Sequence, residues 1–268
     1  MRPSIDSDFF RPALPRIFAH RGTAGTHPEN TMVSFQAASD LGALYLETDV
    51  HLSRDGEVVI SHEPDLQVTC GHPGVIKDMN YADIAKADAG YTFSPNRKDF
   101  PFRDKGIRIP RLIELLTAFP KALFNIDLKP EDKSNITAAV VKLIDGARLR
   151  RRVLLASEFQ NRLDEIRALV PEIPTTLGAL ETGGFLQALA ARDLNYQAPG
   201  EALQLPPEYY SWKFASLETI AMAHRFGIEF HVWTINDEPA MREMLDVGVD
   251  GIFTDFPALG LKVAASRG

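Results

Sequence analysis

Five short clusters in this sequence carry side chains able to move protons, hold an anion or hold a metal ion. The first is His20-Arg21-Gly22, directly after an apolar run. A histidine titrates near neutrality and an arginine fits an anion with several donors, so the pair suits anion chemistry at a strand end. Gly22 permits a tight turn just behind it. The second cluster is Pro28-Glu29-Asn30-Thr31. Asn30 or Thr31 is placed to cap a following helix, and Glu29 to reach back and orient the His20 loop or a metal-bound water. The third is Glu47-Thr48-Asp49. Residues two apart on a strand share a face, so these carboxylates converge. Two buried carboxylates at close range cannot both ionise without a compensating cation, and hard oxygen ligands favour Mg2+ or Ca2+. His51 shares their parity but lies further out.

The fourth cluster is His62-Glu63, and the fifth is Asn125-Ile126-Asp127-Leu128-Lys129. Two histidines flanking an anion would supply one base and one acid. Asn125, Asp127 and Lys129 share a strand face, so Asp127 is placed to complete a three-carboxylate metal site and Lys129 to hold an anionic oxygen as a point charge. Glu158, Gln204, Trp233 and Asn236 also fall at strand ends, with Trp233 suited to packing on a substrate's carbon skeleton. Each residue alone has a plainer explanation. His20 and His62 read equally as hydrogen-bonded core histidines, the Glu29 region as a helix cap, Glu47 and Asp49 as a solvated strand end, Lys129 as a surface ion pair and Trp233 as core. His231 stays open between the two readings, and His27, His72 and His224 read as structural or solvent-facing.

Positioning these residues requires strands and helices in alternation. Apolar runs near Ile17–Ala19, Leu44–Asp49, Val58–Ser61, Leu123–Leu128, Val153–Ala156, Thr175–Ala179, Ala202–Leu205, Glu229–Ile235 and Gly251–Thr254 read as strands. Helical spacing is clearest over Thr31–Leu41, Arg111–Phe119, Asn135–Ile144, Asn161–Leu169, Leu217–Phe226 and Glu238–Val247. This alternation predicts a parallel sheet with helices outside it. Nine strands are one too many for a (β/α)8 TIM barrel. Asp55-Gly56 is a two-residue hairpin signal that would pair Arg54 with Glu57 and Asp49 with His62, making Val58–Ser61 the returning arm of a projecting hairpin. Eight barrel strands remain. Residues 63–109, rich in Gly and Pro with one weak helix near Tyr81–Ala87, read as a lid-like inserted subdomain over the active-site face of a single domain spanning 1–268.

The bulk numbers narrow the class further. A chain of 268 residues fits one large α/β barrel. The net charge of −7 argues against a broad nucleic-acid-binding face. Cys70 is the one cysteine, which excludes an internal disulfide or a Cys-based zinc site. Residues 1–15 lack the apolar centre of a signal peptide, and no apolar run approaches membrane-spanning length, so the expected location is cytoplasmic with no stable membrane insertion.

Taken in order, His20-Arg21-Gly22, Pro28-Glu29-Asn30-Thr31, Glu47-x-Asp49, Asp55-Gly56 and His62 closely resemble the signature of the glycerophosphodiester phosphodiesterase family. The resemblance continues through Ile109-Pro110-Arg111-Leu112, Ile126-Asp127-Leu128-Lys129, Val232-Trp233-Thr234-Ile235-Asn236 and the run from Gly248 to Pro257, so that it covers about residues 17 to 260. It implies a (β/α)8 barrel with an inserted segment after the second histidine. It also implies His20 and His62 as acid/base pair, Glu47 and Asp49 as ligands of Mg2+ or Ca2+ (Mn2+ being a further candidate), and Arg21 and Lys129 as phosphate binders. The implied reaction releases glycerol 3-phosphate from a small glycerophosphodiester: a glycerol hydroxyl attacks phosphorus, a cyclic phosphate forms, and water opens it. The chain departs from the family pattern in three places. Asp127 stands where a longer Glu is usual, which suggests coordination through water or a different ion preference. Glu63 stands where Asp is common, and Val68 where Arg is frequent. Two other readings share these residues: a phospholipase D-like enzyme acting on lysophospholipids or sphingolipids, and a non-catalytic phosphodiester-binding barrel.

Overall fold

A computed structural model of the chain describes residues 5–129, 134–210 and 212–267. Ten strands occur among them: β1 (Arg16–Ala19), β2 (Tyr45–Leu52), β3 (Val58–Ile60), β4 (Leu123–Leu128), β5 (Val153–Ala156), β6 (Ala202–Leu205), β7 (Glu208–Tyr209), β8 (Trp212–Lys213), β9 (Glu229–Val232) and β10 (Gly251–Thr254). The main sheet runs β5-β4-β2-β1-β10-β9-β6 with every neighbouring pair parallel. Its two ends meet through the segment around Thr175 and Thr176, which bridges in parallel to Leu155 on β5 and Ala202 on β6. Eight positions therefore close a ring, and helices on the outside complete the α/β barrel.

Strand interiors are buried on both faces, as parallel strands under helices must be. One apolar cluster joins β2, β4 and β5 to the helices Leu112–Ala118, Ile136–Gly146 and Gln160–Leu169, and another joins β6, β9 and β10 to Leu217–Arg225 and Glu238–Val247. Local signals set the helix ends. Asp237 caps the helix Glu238–Val247 by accepting the Ala240 N–H at 3.0 Å, Pro239 occupies its first turn, and Gly248 closes it. None of the helices among the described residues is long and apolar enough to cross a membrane.

Three expectations change. The hairpin register is one residue off: Val50 pairs with Ile60, Ser61 N–H donates to Asp49 O at 3.0 Å, and Ser53 faces Glu57 rather than Arg54 doing so. The loop holds three residues because Gly56 takes a left-handed conformation (φ +83°) while the Ser53 hydroxyl bonds Asp55 and the Glu57 N–H. His62 consequently follows the ladder instead of facing Asp49 in it. The strand expected over Thr175–Ala179 is reduced to two bridges and gives way to a helix, Ala179–Ala191, whose apolar composition and Gly183-Gly184 pair hide its periodicity. The strand expected to reach Ile235 ends at Val232. Residues 63–109 hold only short helical turns, which pack with Val59 around a small core of Leu66, Cys70, Ile76, Ile84, Ala89 and Ile109.

The end of the barrel opposite the strand C-termini is sealed by a buried polar knot. The Arg16 guanidinium grips Glu229 with two bonds of 2.6 Å and also donates to the Tyr45 hydroxyl and to Phe10 O. Phe9 and Phe10, from a short N-terminal turn, pack with Phe18, Tyr45 and Phe253 beneath it. Burial alone would push the Glu229 carboxyl up, but Arg16 and His231 hold it at about 2, against an ordinary 4.5. This depressed value stabilises the fold fully above pH 4.5, and the contribution is lost as pH falls toward 2. Glu229→Gln should lower the unfolding free energy at pH 7 by about 3–5 kcal/mol, because Arg16 stays buried without its partner. Urea titrations repeated between pH 5 and 2 should show the gap between variant and parent closing. An unchanged gap would assign the loss to packing instead.

Candidate active site

The site forms where the barrel strands end. β2 and β4 lie in a register that sets Glu47 beside Asn125 and Asp49 beside Asp127. β1 aligns Ala19 with Leu46 on β2 and with Thr254 on β10, so the next residue, His20, emerges at the same rim. His20, Arg21, Glu47, Asp49, His62, Asp127, Lys129 and Trp233 all line one cavity of about 690 Å³, together with Asn125, Glu158 and Gln204. Glu29 joins through Arg21, donating no bond of its own but accepting one from the guanidinium at 3.0 Å. The expected partner of Glu29 was the His20 loop or a water; its observed partner is the arginine in that loop.

The charges interlock. Arg21 donates its backbone N–H to Glu47 Oε2 at 3.0 Å, and its Nε lies 3.3 Å from Asp49 Oδ2 without the alignment of a hydrogen bond. Lys129 Nζ bridges Asp127 Oδ2 at 2.7 Å and Asp49 Oδ1 at 3.1 Å. Burial opposes the charge of Asp49, yet Lys129 and Arg21 hold its carboxyl below the usual range. Burial also opposes the Lys129 charge, and Asp127 and Asp49 raise it above an ordinary lysine. Glu47 is served less well: burial and the neighbouring Asp49 push its carboxyl up to about 7.

The loop holding Arg21 explains part of the sequence. Arg21 and Asn30 both adopt left-handed conformations, and Gly22 (φ +87°) packs so tightly that an added Cβ would lie 2.4 Å from Ser34 Oγ. Thr31 rather than Asn30 caps the following helix, bonding the Ser34 N–H. Asn30 is freed to donate to Asp49 Oδ2 at 3.0 Å while accepting from the Thr48 hydroxyl.

Asp255 is the functional neighbour that sequence reasoning missed. Its Oδ1 lies 2.7 Å from His20 Nδ1, and its Oδ2 accepts Asn236 Nδ2 at 2.6 Å while Asn236 Oδ1 accepts the Asp255 N–H. This fixes the ring of His20 and leaves Nε2 to face the cavity. The available signal was position: Asp255 follows the last barrel strand as His20 follows the first. On His62 the corresponding carboxylate is Glu63, 2.8 Å from Nδ1, a pairing the sequence reading did not draw. His231 resolves as structural, buried between Glu229 and Gln204. His224 pairs with Asp250, and His27 with the hydroxyls of Thr23 and Thr26.

A model of the glycerophosphoryl diester phosphodiesterase family matches residues 20–259. The chain belongs to that family. A glycerophosphodiester phosphodiesterase from Bacillus subtilis is 31% identical over 91% of this chain and 85% of its own length. A lysophospholipase D from Mus musculus is 27% identical, covering 91% and 84%. A phosphodiesterase from Oleispira antarctica, solved in complex with the product sn-glycerol-3-phosphate, superposes with a TM-score of 0.74 at 24% identity, over 93% of this chain and 96% of that one. The present family member is an enzyme, a phosphoric diester hydrolase with glycerophosphodiesterase activity, on the barrel fold it shares with the Oleispira antarctica structure.

The residues of this phosphodiesterase fit a divalent ion by two local signs. Asp127 Oδ1 is buried without a hydrogen-bond partner, and Glu47 is held partly protonated for want of positive charge. Both, with Asp49, are hard oxygen donors. Among the described residues no three His, Cys, Asp or Glu side chains stand close enough together to hold a metal as they are, and Lys129 lies between Asp49 and Asp127.

For His20, burial lowers the pKa, but the bond to Asp255 and the charge of Glu47 outweigh it and the net direction is up. Asp255→Asn should therefore lower the His20 titration midpoint, read from its imidazole resonances by NMR across pH 5–8. A midpoint that does not move, or that rises, would remove Asp255 as the partner that matters.

Proposed function

We propose that this phosphodiesterase cleaves glycerophosphodiesters to glycerol 3-phosphate and an alcohol through His20 and His62 acting as an acid/base pair, with a divalent ion at Glu47, Asp49 and Asp127. The observation that carries the reading is the meeting of two histidines, each braced at Nδ1 by a carboxylate, in one cavity with Arg21 and Lys129. Bracing at Nδ1 leaves each Nε2 to exchange a proton with an oxygen of the substrate. One histidine takes the proton of the glycerol hydroxyl beside the ester, and that oxygen bonds to phosphorus. The other gives its proton to the departing alcohol as the P–O bond breaks. Water then adds across the cyclic ester with the roles reversed, so one water is consumed and both histidines regain their starting states.

Arg21 and Lys129 hold the non-bridging phosphoryl oxygens, where negative charge builds during attack. A bound Mg2+, Ca2+ or Mn2+ would supply Lewis-acid stabilisation of the same oxygens. Asn125 and Gln204, paired at 2.8 Å across the barrel interior, present amide groups in the cavity floor suited to glycerol hydroxyls. Trp233 offers a face for the carbon skeleton. The inserted residues 63–109 touch the His20 side of the barrel through Phe102, whose ring lies 5.3 Å from that of His27, which supports their role as a cover.

His20→Ala and His62→Ala should each lower turnover at least about 100-fold in a glycerol 3-phosphate release assay, the low end for removing an acid or base. Activity near the parent's in either variant removes that residue from the mechanism. Treatment with EDTA should abolish release, and adding back Mg2+, Ca2+ or Mn2+ one at a time should restore it and rank the ions. Full activity in chelator would refute the metal centre while leaving the histidines in place.

A further inference from the structure

The barrel holds the two histidines of the site by different means. His20 continues β1, and its N–H donates to Thr254 O at 3.1 Å, so strand pairing carries it to the rim. His62 lies past the end of β3, beyond the ladder. It also stands against two cavities. One is the site cavity, and the other, of about 660 Å³, reaches it among Leu52, Arg54, Pro64, Val75 and Lys77. With so much open space beside it, packing does little to fix this residue, and hydrogen bonds must do so.

One such bond comes from a histidine outside the proposed acid/base pair. His51 is buried on β2, two residues past Asp49 on the same strand face. Its Nε2 lies 3.1 Å from the His62 carbonyl oxygen, which accepts no other bond among the described residues. A carbonyl oxygen only accepts, so the proton of His51 is assigned to Nε2. The peptide held in this way is the rigid plane joining His62 to Glu63, whose carboxylate lies 2.8 Å from His62 Nδ1. The Ser61 hydroxyl donates to Glu63 O at 2.8 Å and ties down the next peptide. Together these bonds fix the His62 ring and its bracing carboxylate relative to each other and to β2.

We infer that His51 is a positioning residue for the phosphodiesterase reaction, setting the height and facing of the His62 imidazole through the His62 carbonyl. The inference rests on the proposed function, in which His62 exchanges a proton with the substrate. A single strand then carries Glu47 and Asp49 and, through His51, the reference point for His62. Such a strut matters because misplacing a reacting group by about 1 Å can cost ~100-fold in rate.

Three substitutions separate positioning from packing. Glutamine places an amide N–H where Nε2 stands, methionine fills the same length with no donor, and asparagine keeps the donor but stops short of the carbonyl. With glycerophosphocholine, His51→Met and His51→Asn should each lower kcat about 10- to 100-fold while KM changes less than about twofold. His51→Gln should stay within about threefold of the parent, because the bond is kept. Methionine removes the buried polarity and asparagine retains it, so the comparison survives if one of the two fails to fold. The ring Cε1–H resonance of His62, assigned by its disappearance in His62→Ala, should move in the two loss variants and stay in His51→Gln. Placed on His62→Ala, His51→Met should cost nothing more, as expected of residues acting as a unit. Equal kcat among the three variants, a loss confined to KM, or the full loss repeated on His62→Ala overturns the inference. A displaced His62 resonance alongside parent-like turnover in His62→Ala upholds the positioning and overturns the acid/base reading instead.

Discussion

Glu47 and Asp49 stand two residues apart on one buried strand face, and parallel pairing adds Asp127 alongside. Three carboxylates in that space repel one another, and leaving water makes each charge costlier. The surrounding structure reads as a set of answers to this constraint. Arg21 is turned into the site by a left-handed backbone, Lys129 spans two of the acids, Asn30 gives up its helix to cap one of them, and Glu47 takes a proton in part. These answers are incomplete, as the unpartnered oxygen of Asp127 shows. On the proposed reading, in which phosphate binds over this surplus of negative charge, a divalent ion would supply the positive charge still lacking.

The two ends of the barrel spend their buried ions differently. At the closed end, Arg16 and Glu229 meet with every donor satisfied, and the aromatic plug of Phe9 and Phe10 keeps water out. Nothing there is left over for chemistry. At the open end, the acids outnumber the fixed cations, backbone is held in rarely occupied conformations, and an acceptor is stranded. Local imperfection of this kind is tolerated because the opposite end and the helical shell hold the ring closed.

The barrel was legible because short, continuous apolar runs alternating with helical spacing leave few arrangements, and the Asp55-Gly56 turn removed the surplus ninth strand. What escaped did so for physical reasons. The helix Ala179–Ala191 carries too uniform an apolar composition to show a face, and its two glycines argue locally against it. The hairpin register turned on Ser53, whose hydroxyl contacts stretch a two-residue loop to three. In the site, residues sharing strand parity with a neighbour were readable, hence Glu47 with Asp49 and Asp127 with Lys129. Asp255 was not, since its partner His20 lies 235 positions away and only closure of the ring brings the last strand beside the first.

Ring closure also accounts for how one cavity keeps charged and apolar walls apart. Strands that follow one another in sequence sit side by side, so the acid-rich early strands face the later ones across the mouth. A wall of leucine and aromatic side chains there excludes water and lowers the local dielectric, which strengthens every interaction among Arg21, Lys129 and the carboxylates. The same wall raises the cost of ionising Glu47. The apolar surface and the shortage of positive charge are thus parts of one arrangement: a drier cavity makes the shortage worse, and makes any cation or phosphoryl group that completes the site bind to a field already set.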